Sequence, residues 1–242
     1  MARYFVDGDF FLFSFLLPDD VAHHALGVCR MRVGQELVLF NRNGQEAWAL
    51  LMDAGKKAMA DIFSIQTADR ASPLKITLIQ ALPSMDRMDT IIQKATELGV
   101  FRICPVITAR SSRLDDKRAI KKYQHWTSLV ISACEQSYQT HLPTIAPLCT
   151  IAEVLDHNKN SDVKYLLNPQ SEQKFSIALR SVSSKLSEVT LFVGAEGGFD
   201  FDEILAIESA GFQSVCVGPR VLRTETAGPA TIAIMQAFYG DF

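Results

Sequence analysis

Long apolar runs are missing from this 242-residue chain. No stretch approaches the ~20 consecutive apolar residues needed to span a bilayer. The apolar segment Phe10–Leu17 follows Asp7 and Asp9, where a secretory signal would carry positive charge. A strand is the better reading of that segment, and the expectation is a cytoplasmic protein. Metal-ligand spacing is also missing. The five cysteines (Cys29, Cys104, Cys134, Cys149, Cys216) show no CxxC pair, and the five histidines form no HExxH-like group. Three of the cysteines sit in apolar strand or helix patterns, so buried free thiols are expected in place of disulfides or a zinc site. Strong charge of either sign is absent too. A net charge of −3 and a pI near 6.0 argue against a bulk polyelectrolyte binder of nucleic acid.

What is present is an ordinary globular composition, 48% apolar and 21% charged, enough for one large or two modest domains. Residues 1–68 read as short strands. Arg3–Val6, Phe10–Leu16, Gly34–Phe40, Glu46–Met52 and Met59–Ile65 are β-rich, and Ala22–Met31 looks helical. Asn41–Gly44 reads as a hairpin turn, and Gly55-Lys56-Lys57 as another. Strands at such regular spacing suggest a small barrel. The polar piece Thr67–Pro73 then marks a boundary, placing one domain at 1–70 and a second at 71–242.

From Leu74 strands and helices alternate, the mark of an α/β domain with a parallel sheet. Strands are expected at Lys75–Leu82, Arg102–Ile107 and Val163–Leu167, with helices through Met88–Leu98 and about Lys117–Ser137. Arg110, Arg113, Lys117, Arg118, Lys121 and Lys122 gather against Asp115 and Asp116. This run is either a solvated helix face or a phosphate footprint. Lys94 and Glu97, three apart on a helix, are either a surface ion pair or part of a site.

The stretch Val189–Phe238 carries the most information. Apolar runs at Val189–Val193 and Ser214–Val217 each end in a glycine, Gly194 and Gly218. Asp200 and Glu203 have the form of a capping box, and Gly211 sits where a helix should stop. This is a βαβ unit, with two glycine loops expected at the carboxyl ends of neighbouring parallel strands, where open α/β sheets hold ligands. Thr224 or Thr226 can cap the last helix, with Pro229 in its first turn. Gly194-Ala-Glu-Gly-Gly198 is neither GxGxxG nor a P-loop, so a pyrophosphate or triphosphate ligand is not indicated.

Together with Gly218-Pro-Arg-Val-Leu-Arg-Thr-Glu-Thr-Ala227, this loop resembles the second and third loops of the knotted SPOUT methyltransferases. More narrowly it resembles the bacterial small-subunit ribosomal RNA methyltransferase E family, which shows G-P-E-G-G and L-G-x-R-I-L-R-x-E-T-A. Ile92–Val100, Ala133–Ser137 and His23–Gly34 are similar to further family segments. The chain departs from the family at Ser84-Met85, where Lys-Gly is usual, and at Tyr138-Gln139, where Gly-Arg is usual. The resemblance implies a trefoil-knotted α/β domain behind a PUA-like RNA-binding barrel. It also implies S-adenosylmethionine as cofactor, N3 of a uridine in 16S ribosomal RNA of the small subunit as target, and a homodimer.

The cofactor carries a sulfonium, an adenine and an amino-acid tail but no phosphate, so its site needs close backbone approach and apolar walls. Gly194, Gly197, Gly198 and Gly218 would give the approach, and Val193, Val217, Val221 and Leu222 the walls. Leu167 and Asn168, by position the first knot loop, complete the set with Glu196, Thr224, Thr226 and Ala227. Arg223 is expected to stabilise charge on a uracil carbonyl. Glu225 would accept the N3 proton or orient Arg223, with burial raising its pKa, unless it and Thr226 only cap the last helix. Arg30, Arg32, Arg110 and Arg113 are the expected phosphate contacts, although Arg30 and Arg32 also read as plain surface arginines, and Gln136 lies near the base. Two other readings remain open. One is a SPOUT enzyme acting on transfer RNA or a ribose hydroxyl, the other a silent RNA-binding ribosome-assembly factor.

Overall fold

The computed structural model describes residues 1–53, 58–158, 161–182 and 186–242. The turn expected at Gly55-Lys56-Lys57 lies outside them. The chain divides into two compact units. One comprises Met1–Ala71 together with Cys134–Leu142, and the other Ser72–Ala133 with Pro143–Phe242.

The first unit is built on a five-stranded sheet ordered β1-β3-β4-β5-β2, with β1 Ala2–Phe5, β2 Ser14–Leu16, β3 Glu36–Phe40, β4 Gln45–Asp53 and β5 Met59–Thr67. The β3–β4 hairpin turns through Gly44 at φ +74, a left-handed conformation that glycine adopts without strain. Leu37, Leu39, Ala47, Ala49, Leu51 and Ala60 are fully buried from alternate positions, so one face of each strand makes the core. Two expectations are corrected here. Only the end of Phe10–Leu16 is strand, because the Phe13 amide donates back to the Phe11 carbonyl at 2.9 Å and bends the chain out of the ladder. The helix expected over Ala22–Met31 begins earlier, as α1 Asp19–His23, and widens into a π-turn at His24–Val28. Asp19 and Asp20 occupy its first turn, where negative charge is favoured.

A buried ion-pair network closes this unit. Arg3, 6% exposed, donates to Glu46 Oε1 at 2.9 Å and to the carbonyls of Cys134 and Gln139 at 3.0 and 3.1 Å. Its guanidinium lies 3.6 Å above the Phe40 ring. Arg70 grips the same carboxylate from the other side at 2.5 and 3.0 Å. Burial alone would raise the Glu46 carboxyl, but the hydrogen bonds and charges of Arg70 and Arg3 outweigh it and hold it below the usual carboxylate value.

The second unit carries a seven-stranded sheet ordered β12-β10-β11-β6-β7-β8, with β9 also on β7 and its strand pairings among the described residues all parallel. Its strands are β6 Lys75–Ala81, β7 Arg102–Ile107, β8 Thr144–Ile145, β9 Cys149–Thr150, β10 Val163–Leu167, β11 Glu188–Val193 and β12 Gln213–Val215. The helices are α2 Met85–Glu97, α3 Asp116–Ser137, α4 Ile151–His157, α5 Phe175–Arg180, α6 Phe201–Ser209 and α7 Thr224–Tyr239. The central strands β6 and β11 are buried along nearly their whole length, which is why apolar residues dominate both. Cys104 and Cys134 are buried, and burial pushes their thiols up to about 11 and about 12, so both stay protonated and unreactive. Lys94 and Glu97 form an ion pair at 2.9 Å on the surface of α2.

Two points of local geometry bear on the site. The capping box of α6 forms as its sequence implies, with the Glu203 amide 2.8 Å from Asp200 Oδ1 and the Asp200 amide 3.0 Å from Glu203 Oε2. The two glycine loops do not follow neighbouring strands, however, because β10 lies between β11 and β12. The short apolar run of β10 gave no signal of its order in the sheet, and its insertion brings a third loop to the same edge.

Glu46→Gln leaves the Arg3 guanidinium buried without a counter-charge and should cost about 3–5 kcal/mol in urea unfolding. The wild-type contribution is present above the usual carboxylate value of 4.5 and is lost as pH falls through the lower folded value, so the variant should also show a flatter acid limb of stability against pH.

Candidate functional site

Three chain segments leave the carboxyl edge of the parallel sheet at adjacent strands and frame one cleft of about 670 Å³. After β10 comes Asn168, whose amide donates to the Val215 carbonyl at 3.0 Å and whose side-chain oxygen accepts from the Gln170 amide at 3.0 Å. Beyond β12, Cys216 is tied to this segment by bonds to the Gln173 carbonyl and from the Phe175 amide, each 2.8 Å. After β11, the Gly198 amide closes a turn onto the Ala195 carbonyl at 3.0 Å, with Gly198 at φ +66.

The glycines have different reasons to be there. A Cβ at Gly197 would lie 2.9 Å from Arg110 Cβ, and Arg110 Nη1 donates to the Gly197 carbonyl at 3.0 Å, so backbone and arginine are in direct contact. At Gly194 a Cβ would press on the Phe199 ring at 3.1 Å. Gly218 differs. Its φ is not in the left-handed range, and a Cβ there would meet nothing within 4 Å. No part of the protein requires glycine at that position, yet it faces the cleft.

Of the residues singled out in the sequence, Leu167, Asn168, Val193, Gly194, Glu196, Gly197, Gly198, Val217, Gly218, Val221, Leu222, Arg223, Thr224, Ala227 and Arg110 all line this cleft. Thr226 does not; it is exposed on α7. Glu225 is not among the lining residues; its side chain is 20% exposed, with Oε1 3.9 Å from Arg223 Nη1. Arg113 is exposed outside the cleft, while the exposed Arg30, Arg32 and Gln136 belong to the first unit. Arg30 holds the left-handed φ of +51, uncommon for a non-glycine residue.

The capping expectation for α7 is corrected. Arg223 occupies the N-cap position without a side-chain cap bond, and Thr224 is the first helical residue. Its hydroxyl is engaged elsewhere, donating to the Gly194 carbonyl at 2.6 Å and accepting from Gln80 Nε2 at 3.0 Å. Pro229 lies in the second turn, not the first.

Arg87 and Arg220 also line the cleft, and sequence reading missed both. The signal for Arg87 was its place just after the carboxyl end of β6, where ligand-facing residues of such sheets gather. Four arginines and one acidic residue, Glu196, therefore line the cleft of a chain with net charge −3. Burial would raise the Glu196 carboxyl, but bonds from the Ser84 amide, its own amide and the Ser84 hydroxyl, with the Arg87 charge beside it, hold it below the usual range. Among the described residues no group of three or more His, Cys, Asp or Glu side chains is placed to hold a metal ion. Among them, too, no helix is long and apolar enough to cross a membrane.

Comparison with known proteins agrees with this geometry. Residues 70–236 match the family model of an RNA methyltransferase domain, and residues 17–60 that of an RNA methyltransferase PUA domain. The chain is 31% identical over 248 residues to a ribosomal RNA small subunit methyltransferase E of Buchnera aphidicola, covering 99% of this chain and 94% of that one. It is 32% identical over 220 residues to the Bacillus subtilis protein of the same name, covering 88% and 86%. A crystal structure of a ribosomal RNA small subunit methyltransferase E from Neisseria gonorrhoeae bound to S-adenosyl methionine superposes with a TM-score of 0.90 at 37% identity, covering 100% of this chain and 99% of that one. The chain belongs to the ribosomal RNA small subunit methyltransferase E family of RNA methyltransferases.

Proposed function

We propose that this protein methylates N3 of a specific uridine in 16S ribosomal RNA of the small subunit, using S-adenosylmethionine. The observation that carries the reading is the meeting of three loops, after β10, β11 and β12, around one cleft in which Gly218 leaves room that no protein atom needs. The donor set fits a nucleoside without phosphate: apolar walls from Leu167, Val193, Val217 and Leu222, main-chain groups at Gly194–Gly198, and no P-loop. The loops are held by a trefoil knot in this reading, a rare exception to unknotted chains, and the knot fixes their mutual positions.

When bound, S-adenosylmethionine supplies an electrophilic methyl group on its sulfonium. Attack by uracil N3 requires loss of the N3 proton, and the Glu225 carboxylate is the group that takes it. Arg223, a cleft-lining residue with a 79% exposed side chain, then stabilises the charge that spreads onto a uracil carbonyl in this reading. Because N3 is engaged in pairing within a duplex, the target base must be unstacked or single-stranded. Arg110 and Arg113 hold phosphates near the site, and the first unit contacts RNA through Arg30, Arg32 and Gln136. The protein acts in the cytoplasm as a homodimer, with its domain boundary near residue 70.

The direct test is incubation with labelled cofactor and undermethylated small subunits, naked ribosomal RNA or transfer RNA, followed by mapping of the product. Label on uridine N3 of 16S RNA is expected; label on ribose or on transfer RNA, or none, contradicts the reading. Arg223→Ala should lower the single-turnover rate by roughly 10²–10³-fold with cofactor binding retained. Gly218→Ala should leave thermal stability nearly unchanged, since its new methyl meets no protein atom, yet weaken cofactor affinity at least about tenfold. Gly197→Ala, which must displace Arg110, should instead cost roughly 1–3 kcal/mol of stability.

A further inference from the structure

Along the cleft wall, charged groups from three segments form a chain. The Ser84 amide, at the start of α2, donates to Glu196 Oε1 at 3.0 Å. The same oxygen receives Arg87 Nη1 at 2.9 Å. The Nε of Arg87 then lies 3.7 Å from Glu225 Oε2, and Glu225 Oε1 lies 3.9 Å from Arg223 Nη1. One guanidinium thus bridges a carboxylate of the loop after β11 and a carboxylate of the first turn of α7.

The two ends of the bridge differ in closeness. At Glu196 there is a close ion pair at 2.9 Å. At Glu225 the separation is 3.7 Å, too long for a hydrogen bond. Glu225 Oε2 is nonetheless shielded from water and has no hydrogen-bond partner. A desolvated carboxylate oxygen without a donor is costly, and the charge of Arg87 is the nearest compensation for it. Held in this way, the carboxylate keeps Oε2 against Arg87 and turns Oε1 towards Arg223 at the cleft mouth, with no acceptor position of Oε1 consumed. An exposed ion pair of ordinary type would fix no such orientation.

We propose that Arg87 is a positioning residue that aims Glu225 at the substrate, anchored in turn by Glu196. The inference rests on the role given to Glu225 above. The planar fork of Arg is needed to reach two carboxylates from one side chain, so Lys is not equivalent.

The test is single-turnover methylation at saturating cofactor, with cofactor affinity measured separately by calorimetry and folding checked by thermal melts. Arg87→Met should lower the rate about 10–100-fold while changing cofactor affinity less than about threefold, and Arg87→Lys should recover only part of the loss. Glu196→Gln should lower the rate less, and the double variant should be no worse than Arg87→Met alone, since both act through one chain of contacts. A wild-type rate in Arg87→Met, or a defect confined to cofactor affinity, overturns the proposal. So does full rescue by Lys. Glu225→Gln separates the two levels of inference. If it is impaired while Arg87→Met is not, only the positioning role fails; if Glu225→Gln keeps the wild-type rate, the role of Glu225 fails and the positioning role with it.

Discussion

The Thr224 hydroxyl is the point on which the rest of the site depends. It donates to the Gly194 carbonyl and accepts from the side-chain amide of Gln80, which also donates to the Ala81 carbonyl at 2.9 Å. Three segments distant in sequence meet there: the end of β6, the loop after β11 and the first residue of α7. Gln80 is fully buried and Thr224 is 6% exposed, so these bonds form out of water, where a made hydrogen bond is strong and a lost one is costly. Gln80 Oε1 has no partner, so the network fixes position at some cost in stability. The result is that Arg223 and Glu225, one residue either side of Thr224, are set against the turn at Gly194 by a buried contact.

The charge pattern follows from the same frame. Parallel strands deliver their carboxyl ends to one edge, and the segments leaving β6, β7, β11 and β12 carry Arg87, Arg110, Glu196, Arg220 and Arg223 to the cleft. A net charge of −3 for the chain conceals this, because sign is local to the surface that meets a ligand. The first unit has its own fixed charge in Arg3, Glu46 and Arg70, but there the burial and mutual hydrogen bonding serve packing.

Much of this was legible in the sequence, and the reasons are specific. Strands β7 and β10 could be read to their end residues because each is a short, mostly apolar run stopped by a polar residue, Thr108 or Asn168. The α6 cap was legible because Asp200 and Glu203 act within four residues of each other. The order of β10 between β11 and β12 was not, since sheet order is decided by long-range pairing that leaves no local trace. Thr224 was read as a cap because Thr commonly caps helices, whereas its hydroxyl is taken by a carbonyl thirty positions away. Arg87 was missed for a similar reason: on α2 it resembles any surface arginine until the fold brings Glu196 and Glu225 to it. The departure at Tyr138 acquires a meaning too. Its φ of +62 is a conformation that glycine, usual in the family at this position, adopts freely, and its ring lies 5.7 Å from the Arg3 guanidinium.

The central claim is that the loops after β10, β11 and β12 together hold a nucleoside without phosphate. A diffraction structure of the protein with S-adenosylmethionine tests it most directly. The account predicts ligand density in the cleft between Gly194 and Gly218, with the sulfonium methyl facing Arg223 and Glu225. Density at another site, or a Leu222 or Val217 side chain filling that space at saturating ligand, would contradict it.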